Sequence, residues 1–249
     1  MDPTSEGREN GPGFALVTGG NSGIGKEIAR QLVSADLTVY VGSRDAGRGQ
    51  AAVDELGDGA RLLVLDVTDE QSVTAAAAQV EELDVLVNNA GISDAGQPAT
   101  ETGVDTLRGV YETNVFGVVA VTNAFLPALR RSAHPRIVNV SSGTGSLGWS
   151  TAPNPQFDYR TGGTAAAYRS SKAALNALTI FYAQALATDG AFKVNAIAPG
   201  LRATNLNSRA AELGGDPAEP AVQAVRLALL PDDGPTAGFF SWDGTVAAW

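Results

Sequence analysis

The chain contains no cysteine and a single histidine, His134. Without cysteine there are neither disulfides nor thiolate metal sites. One histidine cannot build a histidine-based metal site or a Ser-His-Asp triad, and His134 stands in a polar stretch typical of a solvated loop. We therefore predict no metal, and any catalysis has to use other side chains.

Basic residues are also scarce, since 17 Lys and Arg stand against 27 Asp and Glu, a formal net charge of -10. No basic cluster occurs, which argues against nucleic acid or an anionic membrane as partner. No apolar run is long and charge-free enough to span a bilayer. Residues 1–13 are polar and lack the apolar core of a signal peptide, so we expect a disordered lead-in to one domain over residues 14–249. These features favour a cytoplasmic protein.

A glycine-rich turn follows the first predicted strand, Phe14–Thr18, and opens a predicted helix. Unpaired backbone N–H groups at a helix N-terminus attract anions, and glycine lets the backbone approach a pyrophosphate closely. Taken alone, the motif fits a cofactor loop and a tight structural turn equally well. The candidate cofactor residues in it are Gly19, Asn21, Ser22, Gly23, Ile24 and Gly25.

The second predicted strand ends in Ser43-Arg44-Asp45. In dinucleotide-binding folds this position contacts the adenosine ribose, where a basic residue suits a 2′-phosphate and an acidic residue suits a free 2′-hydroxyl. Ser43 and Arg44 therefore favour NADP(H) over NAD(H). Asp45 leaves room for NAD(H), and Arg44 is alternatively a solvated loop arginine.

Strands that alternate with helices of about ten residues predict a parallel sheet covered on both faces, with ligands at the carboxyl ends of the strands. Polar motifs follow several of these strands: Asp66-Val67, Asn88-Asn89-Ala90-Gly91 and Ser141-Ser142. A long helix is predicted over 104–131 and carries Asn114 in an apolar stretch, where it is either functional or a structural link to a backbone carbonyl. Residues 147–165 show no regular period and are predicted to form an irregular loop.

Tyr168 and Lys172 are four residues apart at the start of an alanine-rich helical run. Residues at this spacing share one helix face, so a phenol lies beside an ammonium group. A nearby cation lowers the pKa of a phenol toward working pH, which suits a general acid or base. Taken alone, the pair is a weak indication.

Together these motifs, with Pro199-Gly200-x-x-x-Thr204, resemble the short-chain dehydrogenase/reductase family from residue 14 to residue 244 and in the family's order. The resemblance implies an α/β, three-layer Rossmann-type fold with a seven-stranded parallel sheet and helices on both faces, holding NAD(P)(H) across the strand ends. By position, Tyr168 would be the general acid/base, and Lys172 would lower its pKa and bind the nicotinamide ribose. Ser142 would hydrogen-bond the reacting oxygen, and Asn114 would complete a proton relay. Further cofactor contacts would come from Asp66, Val67, Asn89, Ala90, Gly91, Pro199, Gly200 and Thr204.

The chain departs from the family pattern in the interval from Ser142 to Tyr168, which is 26 residues where the family usually has about half that. The extended loop resembles that of the family's monomeric carbonyl reductases, so a monomer is favoured over a homo-oligomer. Trp149, Phe157 and Tyr159 in it are candidate substrate contacts, or else they cover the tyrosine helix.

We therefore predict an NADPH-dependent carbonyl reductase acting on a ketone or aldehyde. The alternatives are an NAD-dependent secondary alcohol dehydrogenase and a binding protein that senses NADP without turnover.

Overall fold

The computed structural model describes residues 13–94, 96–161, 163–206 and 208–249. The lead-in predicted over residues 1–13 lies outside these ranges except for Gly13. Gly13 is buried, and its carbonyl accepts a hydrogen bond from the Thr38 N–H at 2.9 Å. The folded part therefore begins no later than Gly13.

Seven strands within the described residues form one parallel sheet. They are β1 (Phe14–Thr18), β2 (Thr38–Ser43), β3 (Ala60–Val64), β4 (Val85–Asn88), β5 (Arg136–Val140), β6 (Lys193–Ala198) and β7 (Phe239–Ser241). Their order is β3-β2-β1-β4-β5-β6-β7, so the direction of the crossovers reverses between β1 and β4. In such sheets the ligand crevice lies outside the carboxyl ends of the strands at this reversal. The predicted fold is confirmed.

Helices cover both faces because successive strand residues point to opposite sides. The helices are α1 (Gly23–Ser34), α2 (Ala46–Leu56), α3 (Glu70–Ala77), α4 (Val104–Tyr111), α5 (Gly117–Leu129), α6 (Leu147–Thr151), α7 (Ala166–Ala185), α8 (Ser208–Leu213) and α9 (Ala218–Ala228). Val17 and its like-facing neighbours pack with α1, α2 and α9. Leu16 and its like-facing neighbours pack with α3, α5 and α7. In the described ranges no helix has the length and apolar character needed to cross a membrane.

The helix predicted over 104–131 is interrupted. A π-helical turn, Glu112–Phe116, separates α4 from α5. Asn114 and Val115 in this turn are buried, whereas Phe116 is exposed. Since π-turns are rare and are frequently found at functional sites, the interruption marks Asn114 as a candidate functional residue.

The loop predicted over 147–165 is partly regular. It contains α6 and a 3₁₀ turn, Tyr159–Thr161. Ser146 caps α6 by accepting from the Trp149 N–H at 2.9 Å. The Asn154 carboxamide oxygen then accepts from the N–H groups of Gln156 and Phe157, at 2.9 and 3.0 Å. These local caps and turns have no helical or strand period, and for that reason the sequence pattern did not reveal them.

Candidate active site

A cleft of about 380 Å³ runs along the carboxyl ends of the strands. It is lined by every residue predicted to bind the cofactor, which the fold gathers from six separate stretches of chain. The lining includes Gly19, Asn21, Ser22, Gly23, Ile24, Gly25, Ser43, Arg44, Asp66, Val67, Asn89, Ala90, Gly91, Tyr168, Lys172, Pro199, Gly200 and Thr204. Ser142 also lines it, while Asn114 lies behind the wall.

The glycine turn is fixed to the end of β4 by side-chain hydrogen bonds. The Thr18 hydroxyl accepts from the N–H groups of Asn89 and Ala90, both at 3.0 Å. The Asn89 carboxamide donates to the carbonyls of Thr18 and Gly19, at 2.9 and 3.3 Å. The sequence pattern therefore predicted the turn, and Asn89 is what holds its shape.

This turn fits a bound pyrophosphate. Helix α1 begins at Gly23, and its N-cap residue Ser22 makes no side-chain hydrogen bond to the helix end. A Cβ at Gly25 would lie 2.3 Å from the Asn89 carboxamide nitrogen and 2.5 Å from the Gly19 carbonyl oxygen, so only glycine fits. The N-terminal N–H groups of α1 are left for a ligand, and the glycines keep the approach open.

At the end of β2 the two charged residues differ in their contacts. Asp45 caps α2 by accepting from the Arg48 N–H at 2.9 Å, and its carboxylate pairs with the Arg48 guanidinium at 3.1 Å. Arg44 is exposed, lines the cleft, and makes no ion pair with any described residue. The Ser43 hydroxyl donates to the Asp45 carbonyl at 2.8 Å and so holds the turn. Arg44 is therefore the group at this end that remains available to an anion.

Asp66 lies at the end of β3 with one carboxylate oxygen accepting from the N–H and the hydroxyl of Thr68, at 3.0 and 2.7 Å. Partial burial acts to raise the pKa of Asp66, but the Thr68 hydrogen bonds and the Arg44 charge lower that pKa overall. Asp66 thus stays ionised as a hydrogen-bond acceptor at this end of the cleft.

The geometry separates the two serines after β5. The Ser142 side chain is close enough to Tyr168 to lower the Tyr168 pKa, and its oxygen lies 2.9 Å from the Thr144 hydroxyl. Ser141 is buried and donates instead to the Asn176 carboxamide oxygen at 2.5 Å. Tyr168 is therefore partnered by Ser142, and Ser141 attaches β5 to α7.

Lys172 is buried beneath Tyr168. Its ammonium donates to the Val140 carbonyl at 2.8 Å, and its nitrogen lies 5.8 Å from the centre of the Tyr168 ring. Burial lowers the pKa of Lys172 from 10.5 to about 8. The sequence spacing predicted this proximity correctly.

The pKa of Tyr168 in the unliganded protein is raised, whereas the sequence predicted that Lys172 would lower it. Burial raises the pKa of Tyr168 above 10.0, and the hydrogen bond from Ser142 offsets this only in part. The Lys172 ammonium donates to the Val140 carbonyl rather than to the Tyr168 hydroxyl.

Asn114 is fully buried, and Ile92 satisfies both ends of its carboxamide. The Asn114 oxygen accepts from the Ile92 N–H, and its nitrogen donates to the Ile92 carbonyl, both at 2.9 Å. The nitrogen also donates to the Ser171 hydroxyl at 3.0 Å. A Cβ at Gly91 would lie 3.3 Å from the Asn114 oxygen and 3.5 Å from the Lys172 nitrogen. Asn114 thus makes the predicted structural link while facing Lys172 across Gly91.

Trp149, Phe157 and Tyr159 are absent from the cleft lining, so the structure gives no support to the prediction that Trp149 contacts substrate. Trp149 is 8% exposed and packs 6.3 Å from the Phe239 ring, centre to centre. Phe157 packs with the same cluster, and Tyr159 lines a separate groove. The Gln156 side chain holds the loop in place by donating to the Ala198 carbonyl and the Ser241 hydroxyl, at 3.2 and 3.1 Å. Sequence alone could not distinguish an aromatic residue facing substrate from one facing the core.

Some cleft residues were not predicted, and all of them except Ala210 lie within or close beside a motif whose other residues were predicted. They are Leu65, Thr68, Ile92, Thr113, Val140, Leu201, Arg202, Asn205, Leu206 and Ala210. For the apolar residues Leu65, Ile92, Val140, Leu201 and Leu206, the position beside a predicted motif is the sequence signal that would have identified them.

The chain is similar to known proteins of one family. The sequence model described as short chain dehydrogenase matches residues 13–213. A short-chain dehydrogenase of Penicillium roqueforti, anuI, is 36% identical, with 92% of this chain and 97% of that protein aligned. Salutaridine reductase of Papaver bracteatum is 35% identical, with 91% of this chain and 93% of that protein aligned.

Solved structures agree in fold. A putative short chain dehydrogenase of Shigella flexneri complexed with NADP superposes with a TM-score of 0.81 at 22% identity, over 94% of this chain and 98% of that one. A 3-ketoacyl-(acyl-carrier-protein) reductase of Brucella melitensis complexed with NADH gives 0.79 at 23% identity, over 93% and 96%. The chain belongs to the short-chain dehydrogenase/reductase family of oxidoreductases.

Proposed function

We propose that the protein is an NADPH-dependent carbonyl reductase that converts a ketone or aldehyde of moderate, mostly apolar size to the alcohol, with Tyr168 as general acid. The observation that carries the proposal is that Tyr168, Ser142 and Lys172 line the same cleft, with the Ser142 side chain close enough to Tyr168 to lower its pKa. Two hydroxyl groups that meet at one point offer a carbonyl oxygen two donors. Catalysis needs such donors where negative charge develops.

In this mechanism reduced nicotinamide, when bound, supplies the hydride to the carbonyl carbon. Tyr168 gives its phenolic proton to the oxygen as the C=O π electrons move onto it, and Ser142 donates a second hydrogen bond to that oxygen. The positive charge of Lys172 stabilises the phenolate that remains. Burial keeps the Tyr168 pKa high, so the phenol carries its proton at neutral pH and is ready to act as an acid.

Asn114 has a supporting part in the proposal. Its carboxamide faces Lys172 across Gly91, which has no side chain to separate them, and we propose that a water molecule binds between the two. Such a water would return a proton from solvent to Tyr168 by way of Lys172. In the reverse direction the same groups would oxidise an alcohol.

Preference for NADPH over NADH follows from the charges at the end of β2. Arg44 has no ion pair in the described part of the chain, whereas Asp45 is engaged by Arg48. A 2′-phosphate would gain a guanidinium partner there, and a free 2′-hydroxyl would not find an available carboxylate. The neighbouring structures contain NADP in one case and NADH in another, so they do not select between the cofactors.

The apolar substrate class rests on Ile92, Leu201 and Leu206, which line the cleft. Salutaridine reductase is a reductase by name, which favours the reductive direction. We further propose that the protein is a monomer, since the extended loop lies beside α7, with Leu147, Ser150 and Tyr159 next to Ala166 and Ala173. We also propose that it is cytoplasmic.

The test is the loss of NADPH absorbance over a panel of ketones, aldehydes and quinones, with NADH in parallel and Tyr168→Phe as matched control. We expect turnover with NADPH on at least one apolar carbonyl and a loss of at least about 100-fold in kcat for Tyr168→Phe. Unchanged turnover in Tyr168→Phe would exclude this residue as the proton donor. Tight NADPH binding without turnover in either direction would instead favour a cofactor-sensing protein.

A further inference from the structure

Arg202 is a buried cation that the hydride mechanism does not use. It lies between Gly200 and Thr204, is 8% exposed, and lines the cleft. Its Nε donates to the Pro199 carbonyl at 2.7 Å, and its guanidinium pairs with the Glu219 carboxylate at the start of α9. The guanidinium carbon also lies 4.5 Å from the centre of the Trp242 ring, after β7. Arg202 therefore ties the segment after β6 to two further elements.

Gly214 and Gly215 pack closely against the segment that contains Arg202. A Cβ at Gly214 would lie 2.1 Å from the Arg202 carbonyl carbon, and one at Gly215 would lie 2.6 Å from its Nη1. The Ala203 N–H donates to the Gly215 carbonyl at 2.8 Å, and the Gly215 N–H donates to the Leu201 carbonyl at 3.1 Å. Side chains at 214 and 215 would push the two stretches apart, so glycine here allows Arg202 to be enclosed.

The stretch between these two ends, 203–214, carries one side of the cleft. Thr204, Leu206 and Ala210 line it. The Thr204 methyl lies 3.1 Å from the position that a Cβ of Gly23 would take, so Thr204 stands directly over the glycine turn. The backbone hydrogen bonds of Ala203 and Gly215 and the contacts of Arg202 fix the two ends of this stretch.

We propose that Arg202 is a positioning residue that holds Thr204 over the nicotinamide half of the cleft, through its joint contacts with Glu219, Trp242 and Pro199. This rests on the proposed function, because it takes the ligand to be NADPH. Arg202 does not touch the adenosine half of the cleft, which is built by Arg44 and Asp66 at the ends of β2 and β3. Loss of Arg202 should therefore weaken binding of the nicotinamide half selectively.

A buried arginine can also be merely structural, and the chain supplies a matched control. Arg136, at the start of β5, is also buried and donates to the carbonyls of Leu230 and Ala191 and to Asp232, but it lies at the opposite end of the sheet from the cleft. A general loss of stability should appear in both variants. Selective loss of nicotinamide binding should appear only when Arg202 is changed.

The experiment measures calorimetric Kd values for NADPH and for 2′,5′-ADP, which fills only the adenosine half, in wild type, Arg202→Met and Arg136→Met. We expect Arg202→Met to weaken NADPH binding at least about tenfold while 2′,5′-ADP stays within about twofold of wild type. Arg136→Met should lower Tm and leave both Kd values within about twofold. If Arg202→Met fails to fold, Glu219→Ala is the second variant. It removes the half-exposed carboxylate that pairs with Arg202 and should weaken NADPH binding several-fold.

Unchanged NADPH binding in the Arg202 and Glu219 variants, or equal weakening of both ligands, would overturn the positioning role. Failure of the wild-type protein to bind NADPH would overturn the proposed function along with it. Wild-type binding that the variants leave intact would overturn the positioning role alone.

Discussion

The Lys172 ammonium nitrogen lies 5.8 Å from the centre of the Tyr168 ring, enclosed by protein and held by the Val140 carbonyl. Burial disfavours the positive charge of Lys172 at this position, and its pKa is lowered to about 8 as a result. The buried ammonium of Lys172 is thus a destabilising group in the unliganded protein.

Lys172→Met should stabilise the unliganded protein at pH 7 while abolishing turnover. Because the folded-state pKa of Lys172 is about 8 against 10.5 for the free side chain, the folded protein bears the cost of the buried charge below pH 8. At ~1.4 kcal/mol per unit this cost is about 3 kcal/mol, reduced by about 1 kcal/mol for the lost hydrogen bond. Urea denaturation should show a gain of about 1–3 kcal/mol in the free energy of unfolding.

The sign of the pH dependence follows from proton binding. Between pH 8 and 10.5 the unfolded chain binds more protons at Lys172 than the folded protein does, so wild-type stability rises with pH relative to the variant. The advantage of Lys172→Met should shrink over this window. Lys193→Met, at a partly exposed lysine, is the control; an equal gain there would refute the assignment.

Arg44→Ala should raise the KM for NADPH at least about tenfold and leave the KM for NADH nearly unchanged, because only the 2′-phosphate loses its partner. Arg48→Ala serves as comparison, since Arg48 is already engaged by Asp45 and should change the ratio less. Steady-state kinetics with both cofactors measures this. Equal effects of Arg44→Ala on the two cofactors would mean that Arg44 does not read the 2′-phosphate.

Gly25→Ala should weaken NADPH binding by more than about tenfold, because the added methyl meets Asn89 and Gly19 within 2.5 Å and forces the turn to move. Gly109→Ala is the matched control. It lies in α4 with no heavy atom within 4 Å of the added carbon, and it should gain about 0.5–1 kcal/mol in stability. Calorimetric titration and thermal melts separate the two effects, and intact binding in Gly25→Ala would count against a pyrophosphate at this turn.

Trp149→Ala should lower the free energy of unfolding by about 3–5 kcal/mol, since it empties a packed site against Phe239. The ratio of kcat/KM between two ketones of different size should stay the same, because Trp149 does not line the cleft. Trp149→Phe offers a milder variant for the kinetic comparison. A changed ratio in Trp149→Phe would return this residue to the substrate site.

Sequence alone determined the parallel sheet, the glycine turn and the proximity of Tyr168 to Lys172. These depend on short-range periods: two residues in a strand, nearly four in a helix, and fixed offsets within a turn. The sequence also showed which polar residues follow the strands. Because the carboxyl ends of parallel strands lie at one edge of the sheet, these residues could be placed at that edge.

The tertiary structure decided the remaining features because they depend on contacts between distant parts of the chain. It separated Ser142 from Ser141 through Tyr168 and Asn176, and it placed Trp149 in the core through Phe239. It also set the direction of the Tyr168 pKa shift. Burial is a property of the assembled fold, and it raises this pKa by more than Ser142 lowers it. Arg202 gained its partners in the same way, from α9 and the end of β7.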